Sequence, residues 1–349
     1  MNDDPRLRAF VQALPKAELH VHLEGSIPPE LALRLAARHG VRLPGDERGA
    51  DGVRDAFRFV DFSNFIRLYL ALSRCLQTAR DVREVVVALA QRLRGQGVVH
   101  TEVTFTPVTH MARGVPEAVL MQGLIEGREA AAAIGVSIAY VLDIVRSFPD
   151  QAEPTLGFAL ALAQRIGRGV AGLGLAGPEG GDHPIGPMVP VFARARAAGL
   201  RSLPHAGEML GAASVRAAIE QIGADRIGHG VRAIEDPAVV ELLVVRGIPI
   251  EVCPSSNVAL GVYPDLASHS LPRLLAAGVR VSIATDDPAL FGVDLVDEYL
   301  RCATLLGGDA TVVLRSLAEA SLHHATIDED ARAAWLAAAV AVPDPTIDR

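Results

Sequence analysis

The first stretch of the chain able to do chemistry is Glu18-Leu19-His20-Val21-His22-Leu23-Glu24-Gly25, where one residue separates two histidines. Alternate side chains of an extended segment face the same side, so His20 and His22 present two imidazoles to one point and can share a metal ion. Three more polar clusters follow, each where a short β-rich run gives way to a loop: His205-Ala206-Gly207-Glu208, Gly228-His229-Gly230 and Thr285-Asp286-Asp287-Pro288. Singly, each has a plain alternative. His20 and His22 read as hydrogen-bonded imidazoles, His229 between glycines as a turn residue, and Asp286 and Asp287 before a proline as a helix cap. Turn chemistry does not account for four histidines and several carboxylates at the same end of different runs.

A catalytic zinc ion takes nitrogen and oxygen ligands and keeps one position for water. His20, His22, His205 and Asp286 supply such a ligand set. Zinc lowers the pKa of bound water from about 16 towards about 7, so hydroxide becomes available at neutral pH. His229 is then placed to orient that water, and Glu208, three residues beyond His205, to shuttle a proton. The only lysine in the chain is Lys16, ahead of the first run. A carboxylated lysine from a mid-barrel strand, which bridges two metals in many binuclear hydrolases, is therefore missing, and one zinc per chain is expected. The HxE with PCxxC pattern of zinc deaminases that act on polynucleotide bases is also missing, since Cys253-Pro254 is followed by Ser255-Ser256-Asn257.

These residues need a scaffold that brings strand ends together. Eight short β-rich runs can be read, at 17–22, 98–105, 136–143, 170–175, 201–205, 226–230, 248–253 and 280–285. Helical periodicity fills the stretches between them, at 31–39, 81–94, 116–133, 154–168, 187–198, 213–221, 237–246 and 271–277. Strand and helix alternation over eight units predicts a closed (β/α)8 barrel, a TIM barrel, in a single domain over 1–349. A doubly wound open sheet is the alternative, but no GxGxxG turn follows the first run and no GxxxxGK[ST] occurs. The first connection is long. Its segment 41–76 carries Phe57, Phe59, Phe62, Phe65 and Tyr69, and reads either as a helical lid over the barrel mouth or as ordinary packing of rings on the core.

Composition narrows the partners. The formal charge of −8, from 33 Lys plus Arg against 41 Asp plus Glu, disfavours a nucleic-acid backbone and leaves a small molecule as the expected partner. Cys75, Cys253 and Cys302 show no paired spacing, which argues against both a disulfide framework and a cysteine zinc site. Residues 1–10 place Asp3, Asp4, Arg6 and Arg8 ahead of any apolar run, unlike a secretory signal. The longest apolar run, 130–145, is interrupted by Ser137, Tyr140 and Asp143, so no membrane span is expected and a cytoplasmic location is.

The same motifs, with Leu175-Ala176-Gly177-Pro178-Glu179, Arg226-Ile227-Gly228-His229-Gly230 and Glu251-Val252-Cys253-Pro254 between them, resemble the adenosine and adenine deaminase family in order and across almost the full length. The resemblance implies hydrolytic removal of the 6-amino group of an adenine nucleoside or base, with zinc on His20, His22, His205 and Asp286. By it, Glu208 gives a proton to ring N1 while His229 orients the attacking water. The Gly177 N–H meets N3, and Asp287 meets N7. Glu24 stands where adenosine deaminases usually carry an Asp that takes the ribose 5'-hydroxyl, which implies free adenine or a 5'-altered nucleoside as substrate. The stretch Ala289-Leu290-Phe291-Gly292-Val293-Asp294-Leu295 is instead similar to branches acting on nucleosides, including aminodeoxyfutalosine deaminases. Ala284 stands in place of a commoner Asn before Thr285.

Overall fold

A computed structural model describes residues 4–59, 61–180 and 183–345. Eight parallel strands follow one another in chain order around a barrel. They are β1 (Lys16–His22), β2 (Val98–Phe105), β3 (Ser137–Val145), β4 (Val170–Ala176), β5 (Arg201–Ala206), β6 (Ile227–His229), β7 (Ile250–Val252) and β8 (Val281–Ile283). The ring closes just beyond β8, where the His22 N–H donates to the Asp286 carbonyl (2.8 Å) and the Asp286 N–H to that of His20 (3.0 Å). The expected (β/α)8 barrel is therefore the observed fold.

The strands alternate between two destinations. On β1, Lys16, Glu18, His20 and His22 are buried polar groups on the inside, while Ala17 and Leu19 pack outward on Leu322 and Ala325. Each interstrand connection carries at least one helix, and the predicted helices lie within about two residues of the observed ones. Thr78 and Asp81, for example, form a reciprocal capping box that starts the helix Ala79–Arg94.

Besides three short helices, Pro107–Met111, Pro254–Ala259 and Pro288–Phe291, four longer ones fall outside the predicted set: Pro5–Ala13, Leu295–Leu306, Ala310–His324 and Glu329–Ala341. Their pattern was readable, since Leu314, Leu317, Ala318, Ser321 and Leu322 recur at three- and four-residue spacing and are buried. Ala310–His324 lies against β1 and β8 and covers the seam of the barrel, with Pro5–Ala13, Leu295–Leu306 and Glu329–Ala341 packed on it. Lys16 donates there to the carbonyls of Val11 (2.6 Å) and Leu14 (3.0 Å), and the Ala17 N–H to the Ser321 hydroxyl (2.9 Å).

The insertion after β1 carries two α-helices, Gly49–Ala56 and Phe62–Ser73. Phe62, Phe65, Ile66, Tyr69 and Leu70 recur at helical spacing and form one wall of the cavity at the barrel mouth. Phe65 also stacks on Phe291 at 5.5 Å, so the same face both covers the mouth and packs on its rim.

Candidate active site and metal centre

β1 brings His20 and His22 to the mouth with both rings inward. The other two candidate ligands arrive by different routes. His205 ends β5 and pairs in register with Gly228, so a regular β6 would turn the side chain of His229 away from it. Instead His229 has φ 59°, in the left-handed region, and its ring stands 5.4 Å from that of His205. Asp286 behaves alike. It bridges to Val21, whose side chain points outward, yet φ 68° breaks the alternation and its carboxylate faces inward. These are the two non-glycine residues with positive φ among the described residues, at about 1–3 kcal/mol each. Gly228 is required beside them, because a Cβ there would lie 2.7 Å from Cε1 of His20.

The candidate ligand atoms converge. His22 Nε2 is 3.2 Å from His205 Nε2 and 3.3 Å from Asp286 Oδ1, and His20 Nε2 is 3.5 Å from the same oxygen. Ligands about 2.0–2.2 Å from a tetrahedral ion stand roughly 3.3–3.6 Å apart, so these spacings fit zinc. Hydrogen bonds on the far sides of the rings agree. His20 Nδ1 donates to Glu251 (2.6 Å) and His205 Nδ1 to the Leu175 carbonyl (3.1 Å), leaving each Nε2 with its lone pair directed inward. Ser256 donates to Asp286 Oδ2 (2.6 Å), which turns Oδ1 to the histidines. His20 Nε2 has no hydrogen-bond partner, and burial opposes its charge, yet the carboxylates of Asp286 and Glu251 hold its pKa well above the ordinary value. The spot favours positive charge. A grouping of His20, His205, His229 and Asp286 also lies within 4.8 Å, so position alone admits His229 as a ligand.

Glu208 and Asp287 line the cavity beside this cluster. Burial, then the neighbouring Asp286 carboxylate, push both carboxyls well above their ordinary range, which favours the protonated form. Glu208 Oε1 lies 3.7 Å from His229 Nε2. Asp287 rests against Gly25, where a Cβ would fall 1.6 Å from Oδ1. Gly177, at φ 91°, also lines the cavity. Glu24 does not. It is fully buried, accepts from His110 Nε2 (2.9 Å) and from the Tyr69 hydroxyl (3.1 Å), and meets the cavity only through Tyr69.

Several residues outside the expected site set support this centre. Arg226, buried below it, is paired with both Glu102 and Glu251, and so anchors the carboxylate that orients His20. Glu179 collects the N–H groups of Gly207 (2.8 Å), Glu208 (2.8 Å) and Met209 (3.0 Å), and thereby shapes the loop that carries Glu208. Asp143 at the end of β3 groups with His22 and His205; neither of its oxygens has a hydrogen-bond partner, and burial pushes its pKa well up. Glu179 and Arg226 stand within quoted motifs, but only their far contacts reveal what they hold, and Asp143 lies in none.

Above the cluster lies a cavity of about 380 Å³, walled by Phe62, Ile66, Leu70, Val145 and Phe148 and containing no arginine or lysine among its lining residues. The adenosine deaminase family profile matches residues 15–341. The chain belongs to the adenosine deaminase family. It is accordingly a hydrolase of C–N bonds. It is 41% identical over 330 residues to an adenine deaminase from Streptomyces coelicolor, covering 93% of this chain and 94% of that one. It is also 41% identical over 313 residues to an aminodeoxyfutalosine deaminase of the same organism, covering 88% and 79%. Among solved structures, an adenine deaminase from Arthrobacter aurescens superposes with a TM-score of 0.86 at 33% identity, covering 94% of this chain and 98% of that one. An amidohydrolase from Burkholderia ambifaria with bound Zn does so with 0.87 at 26% identity, covering 97% and 92%. No helix of the described residues is long and apolar enough to cross a membrane.

Proposed function

We propose that this chain is a cytoplasmic, single-domain enzyme that uses one zinc ion to hydrolyse the 6-amino group of an adenine nucleoside, adenosine or a 5'-modified adenosine, to the 6-oxo compound and ammonia. The observation that carries the reading is the convergence of His20, His22, His205 and Asp286 at ligand spacing beneath a cavity whose wall holds the Glu208 carboxyl. When bound, zinc supplies a hydroxide nucleophile near neutral pH.

The chain's own groups do the rest. Glu208 donates its proton to purine N1, which makes C6 electrophilic, and its conjugate base then collects a proton for the departing ammonia. His229 holds the attacking water on the face of C6 by hydrogen bonding. Asp287, kept protonated, donates to N7, and the Gly177 N–H donates to N3, so the ring can enter with C6 towards the metal in one orientation only. Glu24 acts on the sugar side through Tyr69, whose ring lines the cavity. The lack of a lining cation favours a neutral nucleoside over a nucleotide, because an unpaired buried phosphate is costly.

Free adenine is the competing substrate, favoured by the likeness to adenine deaminases. The test is ammonia release from adenosine, adenine, aminodeoxyfutalosine and AMP by purified protein. Turnover of a nucleoside, abolished by a chelator and restored by zinc, is expected. Turnover of adenine alone, or activity indifferent to the chelator, overturns the proposal.

A further inference from the structure

His229 stands close enough to the metal cluster to be a ligand or a hydrogen-bond donor, and which it is depends on the nitrogen that carries its proton. The surrounding contacts leave one solution. The backbone N–H of Leu271 can only donate, and it donates to His269 Nδ1 (3.0 Å). A neutral His269 therefore carries its proton on Nε2, which lies 3.2 Å from Asn257 Oδ1. That fixes the amide, whose nitrogen then faces His229 Nδ1 at 3.2 Å and donates to it. His229 is left with its proton on Nε2, directed to the catalytic cluster. Burial, which lowers the pKa of His269 to about 4, keeps that ring neutral.

We propose that Asn257 and His269 are positioning residues that set the tautomer of His229, making it a hydrogen-bond donor to the attacking water and excluding it from the metal's ligands. The relay is built in. Asn257 is fully buried, His269 is 3% exposed, and the backbone carbonyl of Asn257 accepts from the N–H groups of Val262 (2.8 Å) and Tyr263 (3.2 Å), which holds the residue in place. Two of the ligands are treated the opposite way, since His20 and His205 donate from Nδ1 and turn Nε2 to the cluster. Opposite polarity on the outer nitrogen thus separates His20 and His205, as metal ligands, from His229, as a donor, while the outer nitrogen of His22 has no hydrogen-bond partner.

This inference rests on the proposed role of His229, and its test separates the two. In zinc-loaded protein with 15N-labelled histidine, with the His229 signals assigned by their loss in His229→Gln, a proton on Nε2 and an acceptor Nδ1 are expected. A proton on Nδ1 overturns the relay, and this readout requires neither activity nor a relay variant that folds. Asn257→Asp, which can only accept, should move the proton to Nδ1 and lower kcat by roughly 10²–10⁴-fold, the range for loss of a donor or of the right tautomer at a reacting centre. KM should stay within about threefold, because no substrate-contacting group changes. An unmoved proton, or a kcat within about twofold of the parent, refutes the relay. Undiminished turnover in His229→Ala would refute the catalytic role of His229 while leaving the tautomer assignment standing on the spectrum.

Discussion

Replacing Glu251 with Gln tests whether the metal centre is held from below. Glu251 Oε2 accepts from His20 Nδ1 at 2.6 Å, while Oε1 accepts from Arg226 Nε. A glutamine has one acceptor oxygen and one donor nitrogen for these two donors. If its oxygen serves Arg226, its amide faces His20 Nδ1 and drives the imidazole proton to Nε2, where the metal should sit. If its oxygen serves His20, the amide faces the guanidinium, donor to donor. Losing such an outer partner weakens metal binding about 10–100-fold, or roughly 1.4–2.8 kcal/mol. The fold should lose less than the about 3–5 kcal/mol of a broken buried pair, because Arg226 keeps Glu102. Competition against a chromophoric chelator measures zinc affinity, and thermal unfolding of the apo protein isolates the stability part. A zinc Kd within about threefold of the parent would refute the reasoning, as would a loss seen only in stability.

Three further outcomes follow from the same contacts. Glu208→Gln should retain full zinc content while kcat falls by roughly 10²–10⁴-fold, the usual worth of a positioned acid; unchanged turnover would remove Glu208 from the mechanism. Gly25→Ala places a Cβ 1.6 Å from Asp287 Oδ1 and must displace that carboxyl. Its kcat/KM should fall about 10–100-fold, mainly through KM, with metal retained, and loss of zinc instead would contradict a purely substrate-side role. Lys16 has its pKa lowered to about 7, chiefly by burial. Below that value folded and unfolded chains are both protonated and the burial penalty is complete; between about 7 and 10.5 only the unfolded chain holds the proton, so the penalty fades as pH rises. Stability of the parent relative to Lys16→Met should therefore be flat below pH 7 and climb towards pH 10, as denaturant titrations would show; a flat difference throughout would mean that the folded chain leaves the lysine its ordinary pKa and would refute the burial penalty.

The barrel was legible because its strands are short β-rich runs with helical segments between them, a pattern that leaves parallel pairing as the natural outcome. Boundaries failed where backbone geometry, not residue type, ends a strand. The run 226–230 becomes Ile227–His229 because His229 and Gly230 both adopt positive φ. Arg226 belongs to no ladder; its side chain crosses below the barrel to Glu102 and Glu251. The helices after β8 separate no pair of strands, so the alternation does not require them, although Leu314, Leu317 and Leu322 mark a buried face. Ala310–His324 is what covers the seam between β8 and β1 from outside.

The site was legible for a different reason, and in one respect despite the rule used to read it. Strand alternation correctly puts His20 and His22 on one side, but the same rule sends His229 and Asp286 the wrong way, since each sits in register beside a residue that faces outward or is followed by a reversal. Only a left-handed backbone at both positions brings them in. Glycine would adopt that conformation without strain, so the chemistry selects a side chain at the expense of local stability. The surrounding backbone holds Asp286 there through the paired hydrogen bonds that close the barrel, to His20 and His22 themselves. Ligand and strained hinge are thus tied to the same two residues. Any change that opened the seam between β1 and the end of β8 would pull three of the four ligands apart together, which is why residue identities alone marked the site while its stability depends on closure of the barrel.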